Sequence, residues 1–157
     1  MNDIFDLLIA KKEISECTEA IVRKYCQTWK CSGYHGLLET HTFEENGLAD
    51  RLAEYFQIDR VYSIYSNQAA KEYREKIPVY LAKEWEVFVS LVDKDSHAIE
   101  IVIADPSQRK RMKDLQSKFS MKVHFSLASQ SDVLKAIDEF YSIDEILPFL
   151  KNEHEKQ

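Results

Sequence analysis

Two apolar segments in the second half of the chain constrain its fold more than any other feature. Residues 86–92 (EVFVSLV) and 98–103 (AIEIVI) are β-branched or apolar at nearly every position, which is typical of strands covered on both faces. The polar link of residues 93–97 would let them pair as an antiparallel hairpin. A third strand is predicted where Val123, Phe125 and Leu127 alternate with polar residues.

A helix is predicted between the last two of these strands. Asp105 is placed to cap it and Pro106 to open it, and the apolar stripe that follows comprises Met112, Leu115 and Phe119. A strand, a helix and a further strand in this order predict a crossover to a parallel neighbour. Ser129 is then expected to cap a last helix, whose buried side comprises Val133, Leu134, Ile137, Phe140 and Tyr141.

The front of the chain follows a helical period instead. Ser15 is placed to cap a helix, and we expect its apolar stripe to be buried: Ile14, Cys17, Ile21, Tyr25 and Trp29. Residues 42–45 (TFEE) have the spacing of a capping box before a second stripe of Leu48, Leu52, Tyr55 and Phe56. An offset of thirty residues superposes Leu7-Leu8 on Leu37-Leu38, so a helix-pair unit is predicted to occur twice.

These patterns predict an α+β fold in three parts. Residues 1–58 form a helical subdomain with two helix-pair units. Residues 59–143 form a small α/β subdomain, with a mixed sheet of about three to four strands and flanking helices. Within it, residues 61–64 are expected to be a short edge strand, residues 67–76 a helix, and Pro78 the start of another helix. Residues 144–157 are polar and form a C-terminal tail or linker.

Charge and cysteine content narrow the class of function. With 27 acidic and 21 basic residues, the chain has no net attraction for nucleic acid, and none is expected as a partner. The start of the chain lacks the pattern of a secretory signal, and no apolar run is long enough for membrane insertion, so a cytoplasmic protein is expected. Three cysteines, an odd number, fit a reducing compartment better than a disulfide framework.

No catalytic or cofactor motif is found. All three glycines lie at or before Gly47, so no glycine-rich loop follows a predicted strand to hold phosphate. Cys26, Cys31, His35 and His41 lie close together in sequence and are possible zinc ligands, but their spacing misses the usual two-residue knuckle and packing is the simpler interpretation. A cysteine nucleophile has no local signature, and helix capping accounts for Asp105 better than catalysis does. We therefore predict a non-enzymatic chain without catalytic residues, metal or cofactor.

Two groups of residues are candidates for binding a protein partner. Arg109, Lys110, Arg111 and Lys113 form the one basic cluster, whose simplest interpretation is a solvated helix face, although such a face also suits docking. Tyr62 and Tyr65 are aromatic candidates that could equally pack against a neighbouring part of the chain.

The back half resembles the N-terminal domain of type II secretion and type IV pilus assembly ATPases. The residues that carry the resemblance are IP at 77–78, the strand at 86–92, IVIADP at 101–106, Val123, LAS at 127–129, and DV, AI and FY at 132–133, 136–137 and 140–141. The Ala-Asp-Pro turn followed by Leu-Ala-Ser is the recurrent signature. Residues 48–56 look like the family's helix that leads into a short strand. The resemblance implies a domain outside the motor that docks the ATPase to the cytoplasmic part of an inner-membrane assembly protein.

One branch of this family binds cyclic di-GMP through two copies of a motif that opens Arg-Leu-Gly. The repeat in this chain falls where those copies would be, but residues 3–5 and 33–35 occupy the Arg-Leu-Gly positions, so both arginines and both glycines are missing. We do not expect cyclic di-GMP to bind in that mode. The leading hypothesis is thus a protein-docking adaptor, and the alternative is a small-molecule (cyclic nucleotide) sensor with an altered motif.

Overall fold

The computed structural model describes residues 3–141, in which helices predominate and four strands form one sheet. The helices are α1 (Ile4–Ala10), α2 (Glu16–Trp29), α3 (Gly33–Glu39), α4 (Glu45–Phe56), α5 (Ala70–Arg74), α6 (Val79–Trp85), α7 (Arg109–Ser117) and α8 (Gln130–Phe140). The strands are β1 (Asp59–Arg60), β2 (Val87–Asp93), β3 (Ala98–Ile103) and β4 (Lys122–Leu127). The predicted α+β class with a mixed sheet is confirmed.

The chain divides between Leu48 and Ala49 into two compact units, each described here by itself. The division predicted at residue 58 remains a prediction. The predicted tail at 144–157 lies outside the described residues.

Helix α3 packs against α1 and α2 in the first unit. Asp3, Ser15 and Ser32 cap α1, α2 and α3, each accepting a hydrogen bond from the backbone N–H three residues on. The buried apolar residues of this unit are Ile4, Phe5, Leu8, Val22, Tyr34, Leu37 and Leu48. Short helices such as α1 and α3, of seven residues each, depend on this packing because isolated helices of that length are not stable.

The stripe predicted on α2 is buried only in part. Ile21 is 62% exposed and Trp29 67% exposed, whereas Val22 is 1% exposed. Four of these residues (Cys17, Ile21, Tyr25 and Trp29) follow one another at a four-residue spacing, which drifts around a helix by about 40° per step, so they cannot all face one neighbour. The packing partner decides which face is buried, and α3 contacts α2 at Val22 and Cys26.

An offset of 29 residues, one less than predicted, superposes α1 and the turn after it on α3 and the turn after it. Leu8 and Leu37 are both fully buried, and each carbonyl accepts from the N–H five residues later, Glu13 in one case and Thr42 in the other. In the turns, Lys12 (φ 59°) and His41 (φ 57°) take the same left-handed conformation. The second pair continues into α4, which begins at Glu45, so Thr42 lies three residues before the helix and does not occupy the cap position.

The sheet of the second unit has the order β1-β4-β3-β2. Strands β2 and β3 form the predicted antiparallel hairpin, with an irregularity between Val89 and Leu91. Strand β4 lies parallel to β3, as the crossover through α7 predicts, and also parallel to β1. The short edge strand is Asp59–Arg60, two residues before the predicted segment, because Asp59 and Arg60 are the residues that pair with Ser126 and Leu127.

A side chain covers the free edge of β2. Asn67 Oδ1 accepts from the N–H of Val92 at 3.1 Å, and Asn67 Nδ2 donates to the carbonyl of Val92 at 2.8 Å. The carboxamide therefore makes the pair of hydrogen bonds that a peptide group in a further strand would make. Next to it, Arg74, only 2% exposed, donates to the carbonyl of Val89 and stacks on the ring of Phe88. Blocking an edge in this way limits pairing with other chains.

Candidate functional site

Helix α7 presents the basic cluster at the surface. Arg109, Lys110 and Lys113 are exposed, whereas Leu115, in the same helix, is fully buried. Phe119, two residues beyond the helix, is buried as well. The structure therefore brings three of the four predicted cations to one exposed helix face, which fits the amphipathic pattern.

The fourth cation has a structural contact. The guanidinium of Arg111 lies 5.4 Å from the ring centroid of Trp85, a cation–π distance. Arg111 therefore helps to hold α7 against the end of α6, and we expect it to contribute less to a partner than its neighbours do.

The start of α7 lies three residues later than predicted because of Asp105. Its Oδ1 accepts from the N–H of Ser107 at 3.0 Å and from the Ser107 hydroxyl at 2.6 Å, so the carboxylate stabilises a turn and the helix begins only at Arg109. Asp105 is 8% exposed, and its burial raises the pKa of its carboxyl group, against the lowering effect of the Ser107 hydrogen bonds.

The predicted tyrosines lie in the segment after β1. Tyr62 is 67% exposed, yet its ring lies 4.2 Å from the Arg60 guanidinium and its hydroxyl donates to Asp50 Oδ1 at 3.1 Å. Tyr65 is 72% exposed. A groove beside Tyr62 is lined on its other side by Asp132, Lys135 and Glu139 of α8. The six predicted residues thus lie on two separate elements, α7 and the segment that follows β1.

The positions compared with Arg-Leu-Gly begin both repeat units. Asp3 caps α1 and Ser32 caps α3, so the 29-residue offset equates them and places the second comparison one residue earlier, at residues 32–34. The third positions are Phe5 and Tyr34, 5% and 1% exposed. Neither unit therefore has an arginine at the first position or a glycine at the third, in the corrected register as in the predicted one.

One arginine nevertheless lies beside residues 3–5, the first of the two sets of compared positions. Arg23 of α2 stacks over the ring of Phe5 at 4.6 Å, and its guanidinium is 2.9 Å from Asp3 Oδ2 and 2.7 Å from Glu19 Oε1. These carboxylates raise the pKa of Arg23, chiefly through the hydrogen bond to Glu19. A phosphate would have to displace them to reach the guanidinium.

The four possible zinc ligands do not form a metal-binding site. His35 Nδ1 lies 2.9 Å from the Ser32 hydroxyl, and Cys26 donates its thiol hydrogen to the Ser32 carbonyl at 3.3 Å. Among residues 3–141, no three histidine, cysteine or acidic side chains converge in a way that could hold a metal ion. In the same part of the chain, every helix is too short or too polar to cross a membrane.

Sequence reasoning missed three features of the chain. Ile21 and Trp29, predicted to lie in the core, are exposed, and the sequence gives no signal for the 62% exposure of Tyr80. The burial of Arg74 had no signal, because a charged residue in a weakly amphipathic stretch is normally solvated. The contact of Cys26 with Gly36 could be suspected only from the glycine. A glycine indicates that another group comes close, but a single sequence does not show which residue that is.

Comparisons with known proteins agree on one family and fold. A family model described as the MshEN domain matches residues 66–147, just over half of the chain. A structure of MshE with cdg (cyclic di-GMP) has a TM-score of 0.69 at 15% identity, covering 90% of this chain and 100% of that one. A structure of the N-terminal domain of XpsE has a TM-score of 0.69 at 12% identity, covering 89% and 94%. No curated protein matches the sequence.

Proposed function

The chain belongs to the MshEN domain family, which confirms its resemblance to the N-terminal domains of type II secretion and type IV pilus assembly ATPases, and from that premise we propose a docking function. In this proposal the domain performs no chemistry itself. It connects an assembly ATPase to the cytoplasmic domain of an inner-membrane assembly protein, on the cytoplasmic side of that membrane.

The observation that carries the proposal is the exposed basic face of α7. Arg109, Lys110 and Lys113 concentrate positive charge on a chain whose net charge is −6. A local patch of opposite sign to the whole molecule selects a partner with an acidic face and sets its orientation. The helix is also held in place, by the Asp105 turn at its start and by the Arg111 contact with Trp85. A surface fixed in this way loses little conformational entropy on binding.

Charge reversal on α7 tests this function. The double variant K110E/K113E should bind the purified cytoplasmic domain of an inner-membrane assembly protein from the same secretion or pilus system at least about tenfold more weakly, which is roughly 1.4 kcal/mol. The measurement is isothermal titration calorimetry on the full chain.

The matched control is K24E/K71E. Lys24 and Lys71 are exposed helical lysines on α2 and α5, so this pair makes the same change in net charge away from α7. It should leave affinity within about threefold of the parent. Equal losses in the two doubles would show that net charge matters rather than the α7 face, and no loss in either would refute docking through α7.

The tyrosines are a separate arm of the proposal. Tyr65 can be truncated without disturbing the Arg60 and Asp50 contacts that Tyr62 makes. If the segment after β1 joins the interface, Y65A weakens binding with an unchanged circular dichroism spectrum. If only α7 docks, Y65A binds like the parent and the site is confined to the helix.

A second candidate is a small-molecule sensor. The observation in its favour is that MshE, with the same fold over 90% of this chain, has been solved with cyclic di-GMP. Against that ligand stand Asp3 and Ser32 at the first motif positions, and the carboxylates already paired with Arg23. A thermal-shift panel of cyclic dinucleotides separates the two functions: docking predicts no shift, and clear stabilisation by one nucleotide would favour the sensor.

A further inference from the structure

The turn that ends α2 brings two cysteines together. Lys30 takes the left-handed conformation (φ 53°, ψ 48°), and the N–H of Cys31 donates to the carbonyl of Cys26 at 3.1 Å. This six-residue hydrogen bond defines a Schellman turn, in which the side chains of the first and last residues usually make an apolar contact. In this chain both of those side chains are thiols.

The two sulfur atoms face the same glycine. A Cβ built on Gly36 would lie 2.2 Å from Cys26 Sγ and 3.8 Å from Cys31 Sγ, so both sulfurs border the space that the missing side chain leaves. Burial and the interaction with the Cys26 thiol raise the pKa of Cys31 to about 11, so Cys31 is almost wholly protonated at neutral pH and the attack on peroxide falls to Cys26. Both cysteines are partly exposed, so a small reagent can reach them.

We propose that Cys26 and Cys31 are a redox modification site, which a peroxide converts to an intramolecular disulfide. One sulfur attacks the peroxide, the O–O bond breaks, and the products are a sulfenic acid and water. The second thiol then displaces the hydroxyl group, its proton leaves with that group as a second water, and the S–S bond forms. Two thiols and one hydrogen peroxide thus give one disulfide and two waters.

The backbone geometry favours this bond. A disulfide needs Cα atoms about 4.4–6.8 Å apart. The 3.1 Å hydrogen bond between the same two residues holds their backbones close together, and it does not use either side chain. The thiol hydrogen bond from Cys26 to the Ser32 carbonyl has to be given up. The bond would tie the end of α2 to the segment that leads into α3, linking the first helix pair to the second.

Trypsin digestion gives a direct readout. Cleavage after Lys24, Lys30 and Arg51 places Cys26 and Cys31 in adjacent peptides, residues 25–30 and 31–51. The full chain is oxidised with hydrogen peroxide, alkylated with iodoacetamide, digested and examined by mass spectrometry. The expected product is the two peptides joined by one disulfide, which dithiothreitol separates, with Cys17 alkylated.

The C17S variant is the matched test, because Cys17 is exposed and lies at the other end of α2. On oxidation it should lose both remaining thiols, stay monomeric on a non-reducing gel and gain thermal stability. C26S and C31S should each keep alkylatable thiols and give no joined peptides, with circular dichroism as the check of folding. Disulfide-linked dimers of C17S, or full alkylation of Cys26 and Cys31 after oxidation, would overturn the proposal whether or not the docking function holds.

Discussion

Single side chains decide where the elements of this fold begin and end. Ser15 and Ser129 cap their helices as the sequence predicts, because capping depends on residues within three positions. Asp105 does not cap α7 as predicted, because its carboxylate accepts hydrogen bonds from both the backbone N–H and the hydroxyl of Ser107. Local chemistry is therefore readable from sequence, but the choice between two local partners is not.

The buried carboxyl of Asp105 makes stability depend on pH. Because burial raises its folded-state pKa, the folded chain holds this proton more tightly than the unfolded chain, and the stability from this group is lost as pH rises from the ordinary aspartate range through the raised value. Asp105→Asn keeps an acceptor for Ser107 and has no charge to bury. Urea unfolding should show the variant equal to or more stable than the parent at pH 7, with a difference that narrows towards acidic pH.

The Asp105→Ala variant controls for the hydrogen bonds. It removes the acceptor for both Ser107 groups, so it should be less stable than Asp105→Asn at every pH. An Asp105→Asn variant that is clearly less stable than the parent at pH 7 would contradict the proposed cost of burying the charge.

Gly36 is required by its neighbours rather than by its backbone angles. An added Cβ would lie 2.2 Å from Cys26 Sγ and 3.2 Å from Val22 Cγ1, so Gly36→Ala should destabilise the chain by about 1–3 kcal/mol in urea unfolding. Cys26→Ala removes the closer atom. The double variant should therefore recover part of that loss, and strict additivity of the two changes would contradict the contact.

At the scale of elements, Asn67 replaces a missing strand beside β2. Asn67→Ala loses both hydrogen bonds to Val92 and the one that its Oδ1 accepts from the Ala70 N–H at 3.1 Å. A loss of about 1–3 kcal/mol is expected, with faster hydrogen exchange at the Val92 amide. Asn67→Asp keeps the two hydrogen bonds that Oδ1 accepts but loses the one that Nδ2 donates. The Val92 amide should therefore exchange more slowly in this variant than in the alanine variant. Equal exchange in the two variants would contradict the role of Oδ1.

The elements were predicted well where one segment contains the whole signal. The hairpin of β2 and β3 and the crossover to β4 follow from apolar runs and polar links within the chain. The buried face of α2 and the position of β1 depend on partners distant in sequence, α3 for the helix and Ser126 and Leu127 for the strand. For the candidate site, the exposure of the α7 cations was predictable from their periodicity, whereas the contact of Arg111 with Trp85 was not.

At the scale of the molecule, charge sign gives the docking proposal a salt signature. The net charge of −6 repels an acidic partner at long range, and the α7 face attracts it at contact. Screening at about 0.15 M salt confines both effects to roughly 8 Å, where the contact term dominates. The affinity of the parent should fall as the salt concentration rises about tenfold, from about 0.05 to about 0.5 M. The K110E/K113E variant should lose most of this salt dependence, and the K24E/K71E variant should keep it. A parent affinity that rises with salt would contradict attraction through α7.

The two left-handed turns of the repeat show that its backbone does not require glycine. Lys12 and His41 each take the left-handed conformation, which costs a residue with a side chain roughly 1–2 kcal/mol, and both turns form nonetheless. What they share is a buried leucine whose carbonyl accepts from the N–H five residues on. A search pattern that demands glycine at that point would pass over both halves of this repeat, so divergent relatives are better sought by the spacing of caps and leucines.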